Sequence, residues 1–147
     1  MATTTFLSNA TINITQGATT YDLSDQANTC TITVGYDALE ATAFGDSGHR
    51  FVKGLQKTEV NITFFLSYGG SGTASEVETA LAAMVGQGNT TLVISPSGTT
   101  EGADNPEYTI TNAMLAEFTP INSTVSELAT VECVFTGGTW ARDITAP

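Results

Sequence analysis

Polar and apolar residues alternate along most of this chain, and alternation is the signature of half-buried strands. Residues 11–15 place Ile12 and Ile14 between polar neighbours. Residues 29–34 put Cys30, Ile32 and Val34 on one face and three threonines on the other. The clearest strand spans 58–68, with Val60, Ile62, Phe64, Leu66 and Tyr68 facing one way. Glu59, Asn61, Thr63 and Ser67 face the other way, and Phe65 interrupts the polar face as a candidate contact residue. A short apolar strand over 90–95 stops at Pro96, which cannot donate to a ladder. Residues 107–119 alternate through Tyr108, Ile110, Met114 and Phe118, with Asn112 out of phase, so a bulge is expected there. The stretch 128–135 turns Val131, Cys133 and Phe135 inward.

One segment has helical spacing instead. Thr73 and Glu76 stand at capping-box separation, Val77, Ala80, Leu81 and Met84 form one apolar stripe, and Gly86 is placed to end the helix. The pattern predicts a short α-helix over about 74–85, covering a sheet or the open end of one. Loops are expected at 69–72, 86–89 and 96–106, the last mobile or docked on a partner. Residues 1–9 have the character of a flexible N-terminal arm. No repeat or linker divides residues 1–147, so the expectation is a single mainly β domain, an antiparallel β-sandwich or barrel with one helix.

Charge adds a second feature. The chain has 4 Lys+Arg against 15 Asp+Glu, a net −11, yet Arg50, Lys53 and Lys57 lie together with the only histidine, His49. A basic segment on an acidic body is self-complementary and suits head-to-tail contact between identical copies. Phe44, Asp46, His49, Arg50, Phe51, Lys53 and Lys57 are therefore the candidate subunit-contact residues. The acidic balance argues against DNA binding, which needs cations to displace counterions from phosphate. Thr is the most frequent residue and favours strands. The N-terminus lacks the cationic and apolar regions of a secretory signal, and no stretch approaches the ~20 apolar residues of a membrane helix. Cys30 and Cys133 sit among apolar neighbours and are expected to be buried free thiols.

Catalytic patterns fail on context. Gly45-Asp46-Ser47-Gly48 matches part of the trypsin-like nucleophile motif, but His49 is only two residues from Ser47, where pairing as a base is geometrically poor. Asp46 and His49 lack a third metal ligand, and there is neither a phosphate loop nor a zinc-spaced cysteine pair. The Asn-X-Ser/Thr triplets at Asn9, Asn13, Asn61, Asn89 and Asn122 follow from a composition rich in Thr and Asn. No enzyme activity and no cofactor are expected.

The segment 23–55 resembles the major tail tube protein of bacteriophages with long, non-contractile tails. The resemblance is carried by Leu23-Ser24-Asp25, by Ala38-Leu39-Glu40-Ala41-Thr42-Ala43-Phe44-Gly45-Asp46, by His49-Arg50 and by Gly54-Leu55. It extends through Glu78 to Met84, Asn105-Pro106-Glu107-Tyr108, Glu117-Phe118-Thr119-Pro120, Ser126-Glu127-Leu128-Ala129 and Gly138-Thr139-Trp140-Ala141-Arg142. Related folds occur in contractile-tail tubes and in the type VI secretion tube. The resemblance implies hexameric rings stacked into a tube that conducts DNA without binding it specifically. It further implies tape-measure, tail-tip and tail-terminator partners, assembly in the host cytoplasm, a place in the virion tail and no membrane association. On that reading the polar strand faces carrying Glu59, Asn61, Thr63, Thr109, Thr111 and Glu117 are candidates for the channel lining. The alternative is a secreted carbohydrate-binding or adhesin-like β-sandwich module.

Overall fold

A computed structural model describes residues 10–72, 75–97 and 102–145. Eight strands form one hydrogen-bonded sheet: seven follow the order β2-β1-β5-β6-β7-β4-β3, and β8 pairs with β6 off that path. They are β1 (Thr11–Gln16), β2 (Thr19–Asp22), β3 (Ala27–Glu40), β4 (Phe51–Phe65), β5 (Thr90–Ser95), β6 (Glu107–Leu115), β7 (Thr130–Thr136) and β8 (Thr139–Asp143). Every pairing between them is antiparallel. The one α-helix among the described residues is α1 (Val77–Met84), so the architecture is the mainly β fold with one α-helix that the pattern predicts.

The sheet folds over itself at a corner in β6. Residues 107–111 pair with β8 while Met114 and Leu115 pair with β7. The register is continuous through the corner: Thr111 faces Thr139 and Met114 faces Thr136. Asn112 adopts φ 63 there, and β6 uses one more residue than β5 between the Ile110–Leu92 and Ala113–Thr90 pairs. That is the bulge expected at Asn112. An inserted residue reverses the alternation beyond it. Ala113 and Leu115 are consequently buried, and Met114, expected inward, points out.

Folding over brings two apolar faces into one core. Ile12, Ile14, Leu92, Ile94 and Ile110 come from one side, and Val60, Ile62, Phe64, Val131, Cys133 and Phe135 from the other. Helix α1 adds its stripe of Val77, Ala80, Leu81 and Met84, all fully buried. Cys30 and Cys133 are free thiols in one cross-strand row with Ile62 between them. Two strand spacings amount to about 10 Å, beyond disulfide reach. Burial pushes Cys30 up to about 11 and, with added repulsion from Glu132, Cys133 up to about 12, so neither is an active nucleophile.

The helix begins at Val77, later than the capping box predicts. Glu76 is its N-cap residue and makes no side-chain capping bond, and Thr73 lies outside the described residues. The Ser67 hydroxyl accepts from the Val77 amide at 3.2 Å instead. The Glu76 carboxylate accepts from Gln26 at 2.9 Å and lies 3.0 Å from the Ser67 hydroxyl, tying α1 to the 3-10 turn Ser24–Gln26. Gly86 ends the helix at φ 81, and its amide donates to Leu115. The bonds from Gln26 and then Ser67 hold the Glu76 carboxyl below its ordinary value of 4.5. A depressed folded value gives stability that is present above the unfolded value and lost as pH falls through the folded one. Glu76→Gln is therefore expected to flatten the acid side of the profile. Thermal melts at pH 7 and pH ~3 should differ less for the variant than for the wild type; parallel losses would place the acid sensitivity elsewhere.

Several boundaries differ from the sequence expectations. Strand β4 begins seven residues before 58 and ends at Phe65, leaving Tyr68 outside it and exposed. Strand β3 runs on to Glu40, and β2 and β8 are additional strands. Leu128 precedes β7 and is exposed. The loop expected at 96–106 is closed at its base, where Asn105 accepts from the Ser97 amide and donates to the Ser97 carbonyl. The expected N-terminal arm, residues 1–9, lies outside the described residues.

Candidate subunit-contact surfaces

The extensions of β3 and β4 form a two-stranded arm, residues 35–57. Its pairs are Tyr36 with Gln56, Ala38 with Lys53, Leu39 with Val52 and Glu40 with Phe51. Strand β4 bulges between Lys53 and Gln56, where Gly54 approaches Asp37 and Leu39 closely enough that a Cβ would stand 3.2 Å from them. The segment 49–57 is thus largely a strand of a ladder. It is not the glycine-bounded loop that its glycines suggest.

The tip is a compact turn. The Asp46 carboxylate accepts from the Ala43 amide at 2.7 Å, and Ala41 donates to Arg50 at 2.7 Å. The base is clamped to β8: Gln56 accepts from the Trp140 amide and donates to the Trp140 carbonyl, and the Trp140 indole donates to Gly35 at 3.3 Å. The Tyr36 ring meets the indole edge-on at 5.9 Å. These contacts set the angle at which the arm leaves the core.

Charge on the arm is largely satisfied internally. Arg50 pairs with Asp46 at 3.8 Å, His49 bonds Glu40, and the Lys53 ammonium sits 4.9 Å from the Tyr36 ring centre. Asp37, Glu40 and Asp46 balance Arg50, Lys53 and Lys57, so the arm is neutral and the whole −11 resides on the rest of the chain. What the arm presents outward is apolar: Tyr36, Leu39, Phe44, Phe51, Val52 and Leu55 are all exposed, with Phe44 at the tip fully so. Sequence reasoning found Phe44 and Phe51 but missed Tyr36, Leu39, Val52 and Leu55. The available signal was an apolar residue at every second or third position on both sides of the polar stretch 45–50.

All seven contact candidates lie on the arm, with Lys57 at its base opposite Gly35. The six channel candidates divide. Glu59, Asn61 and Thr63 share the outer face of β4 and pair with Thr136, Val134 and Glu132. Glu117 follows β6 and lines a groove with those three β7 residues. Thr109 and Thr111 stand on the outer face of β6 beside β8, on the opposite side of the shared core. Six residues divided in this way do not form one wall.

Another groove, about 280 Å³, is lined by Cys30, Ile32, Val34, Ile94, Pro96 and Tyr108 beside the edge of β3 that no other described strand pairs with. No group of three or more His, Cys, Asp or Glu side chains among the described residues is arranged to hold a metal ion.

No family model matches the sequence, and no curated protein matches it. Solved structures do. A chain in the sheath/tube terminator of an extracellular contractile injection system (PVC, extended state) superposes at TM-score 0.65 and 12% identity, covering 97% of this chain and 98% of that one. A chain in the sheath-tube complex of the same kind of system superposes at TM-score 0.62 and 11% identity, covering 93% and 89%. A chain in the virion of a native gene transfer agent particle superposes at 0.58 and 8% identity, covering 92% and 95%. At these identities the likeness is one of fold, and it extends over nearly the full length of each chain: this protein has a tail-tube-like fold.

Proposed function

We propose that this chain is a non-enzymatic structural subunit of a tail tube. Six copies form a ring, rings stack into a tube, and the tube conducts DNA from a virion into the host cell. The observation that carries this reading is the arm: a neutral, apolar hairpin clamped at its base and projecting from a body of net charge −11. A monomer gains nothing from presenting that apolar surface to water, whereas an assembly buries it. The fold shared with chains of contractile injection systems and gene transfer agent tails supports a tail role. The sequence resemblance favours a long, non-contractile tail, with tape-measure, tail-tip and tail-terminator proteins as partners. The acidic face bearing Glu59, Asn61, Thr63, Glu117 and Glu132 suits a lumen that repels phosphate.

Arg50 and Lys53 hold the arm's own shape as much as they reach a neighbour, so the main driving force for docking is apolar burial. Replacing residues 41–50 by a tight two-residue turn removes the tip and leaves the core untouched. The expected result is a circular dichroism spectrum and melting temperature near wild type, with no tubes in electron micrographs under conditions where the wild type forms them, tail-tip proteins included. Normal tubes from the shortened chain would refute the arm's role.

A further inference from the structure

We infer that a second apolar patch, at the end of β4 remote from the arm, is the acceptor for the arm of another copy of this chain. The inference rests on the tube reading and adds the receiving surface. The patch comprises Phe65, Tyr68, Ile121, Val125 and Leu128, all exposed. Hydrogen bonds gather it: Leu66 donates to Ala129, the Tyr68 hydroxyl donates to Pro120 at 2.8 Å, and Asn122 donates to Thr130 at 2.8 Å. The turn that presents Val125 holds Ser126 at φ 71, a conformation that costs a non-glycine residue energy.

Three facts point to a second copy as the occupant. Among the described residues, every exposed large apolar side chain except Met114 and Ile144 lies either on the arm or in this patch. The two surfaces sit at opposite ends of the 15-residue strand β4, about 50 Å apart along it. A contact joining one end of a molecule to the other end of its twin is heterologous, and it runs on as a stack where the rotation between copies does not close a ring. Charge agrees. Residues 116–132 contain Glu117, Glu127 and Glu132 and no cation, so the patch repels the acidic body of a neighbour. The neutral arm, carrying three of the chain's 4 cations, approaches without that repulsion.

Cross-linking tests the pairing directly. Ser47→Cys at the arm tip and Ser123→Cys beside the patch fall on exposed polar positions and leave Phe44 and Leu128 in place. Cys133 is buried, and Cys30, only partly buried, is replaced by serine in every variant. Tubes of the double variant, oxidised and run on a non-reducing gel, are expected to give a ladder of covalent oligomers. Each single variant should give nothing beyond a dimer. In parallel, Val125→Ser with Leu128→Ser should abolish tubes while the melting temperature stays near wild type. Tubes that form normally without those two side chains, or a double-cysteine tube without a ladder, overturn the acceptor assignment and leave the tube reading intact. A wild-type chain that makes no tubes even with tail-tip proteins present overturns the tube reading itself, and this inference with it.

Discussion

Phe64→Ala is expected to destabilise the fold by about 3–5 kcal/mol. The ring is fully buried on β4, between Ala27 of β3 and Val131 of β7 in the cross-strand row. Removing it forfeits apolar transfer energy and leaves a cavity that its neighbours refill only in part. Those neighbours belong to strands whose positions are set by backbone ladders on both sides, so collapse into the space is limited. A domain of ordinary stability holds roughly 5–15 kcal/mol in total, so the variant should be near its unfolding threshold. Denaturant titration reads the effect as a lowered midpoint with an unchanged slope. A midpoint equal to the wild type's would mean that the apolar face of β4 is turned away from the core.

Gly138→Ala should be at least as severe, for a different reason. Gly138 lies in the turn between β7 and β8, at the corner where their shared ladder with β6 passes from one half of the sheet to the other. Its φ is 85, and a Cβ there would stand 2.2 Å from the Thr111 carbonyl oxygen and 2.9 Å from the Asn112 carbonyl carbon. These are backbone atoms pinned by a bulge, with no rotamer to move aside. A clash of that kind opens the corner, and a loss above about 4 kcal/mol is expected, enough to remove soluble protein. Gly137→Ala is the internal control. Its φ is 81 but nothing lies within 4 Å of an added Cβ, so only backbone strain of about 1–2 kcal/mol applies. Thermal melts and soluble yield of the two variants compare them side by side. Equal effects would show that the close approach to Thr111 does not constrain the corner.

Much of the core was legible in the chain because side-chain periodicity is local. Ile12 and Ile14, Val60 to Phe64, Val131 to Phe135 and the stripe from Val77 to Met84 announce their buried faces at spacings of two or of three to four residues. The arm was much less so. Its strands alternate poorly because both faces meet solvent or a partner, and no core selects one of them. They persist because Leu39 and Val52, or Tyr36 and Gln56, meet across the ladder, and because Gln56 and Trp140 clamp the base. Strand β8 escaped notice because it is short and is held by its pairing with β6.

The sequence alone determined that this is an acidic, strand-rich chain with one short helix, a bulge at Asn112 and an unusual basic cluster near residue 50. Composition and short-range pattern are properties of neighbouring residues, so they survive without a fold. Which surfaces those features occupy depends on long-range packing. Pairing along β6 placed Thr109 and Thr111 on the far side of the core from Glu59, and the bulge turned Met114 outward. The arm's own acids balanced its cations. The packing of 119–129 against the end of β4 assembled an apolar patch from residues that are more than 50 positions apart in sequence. Long-range contacts of this kind carry no local signature, because each depends on two segments whose meeting is set by the fold as a whole.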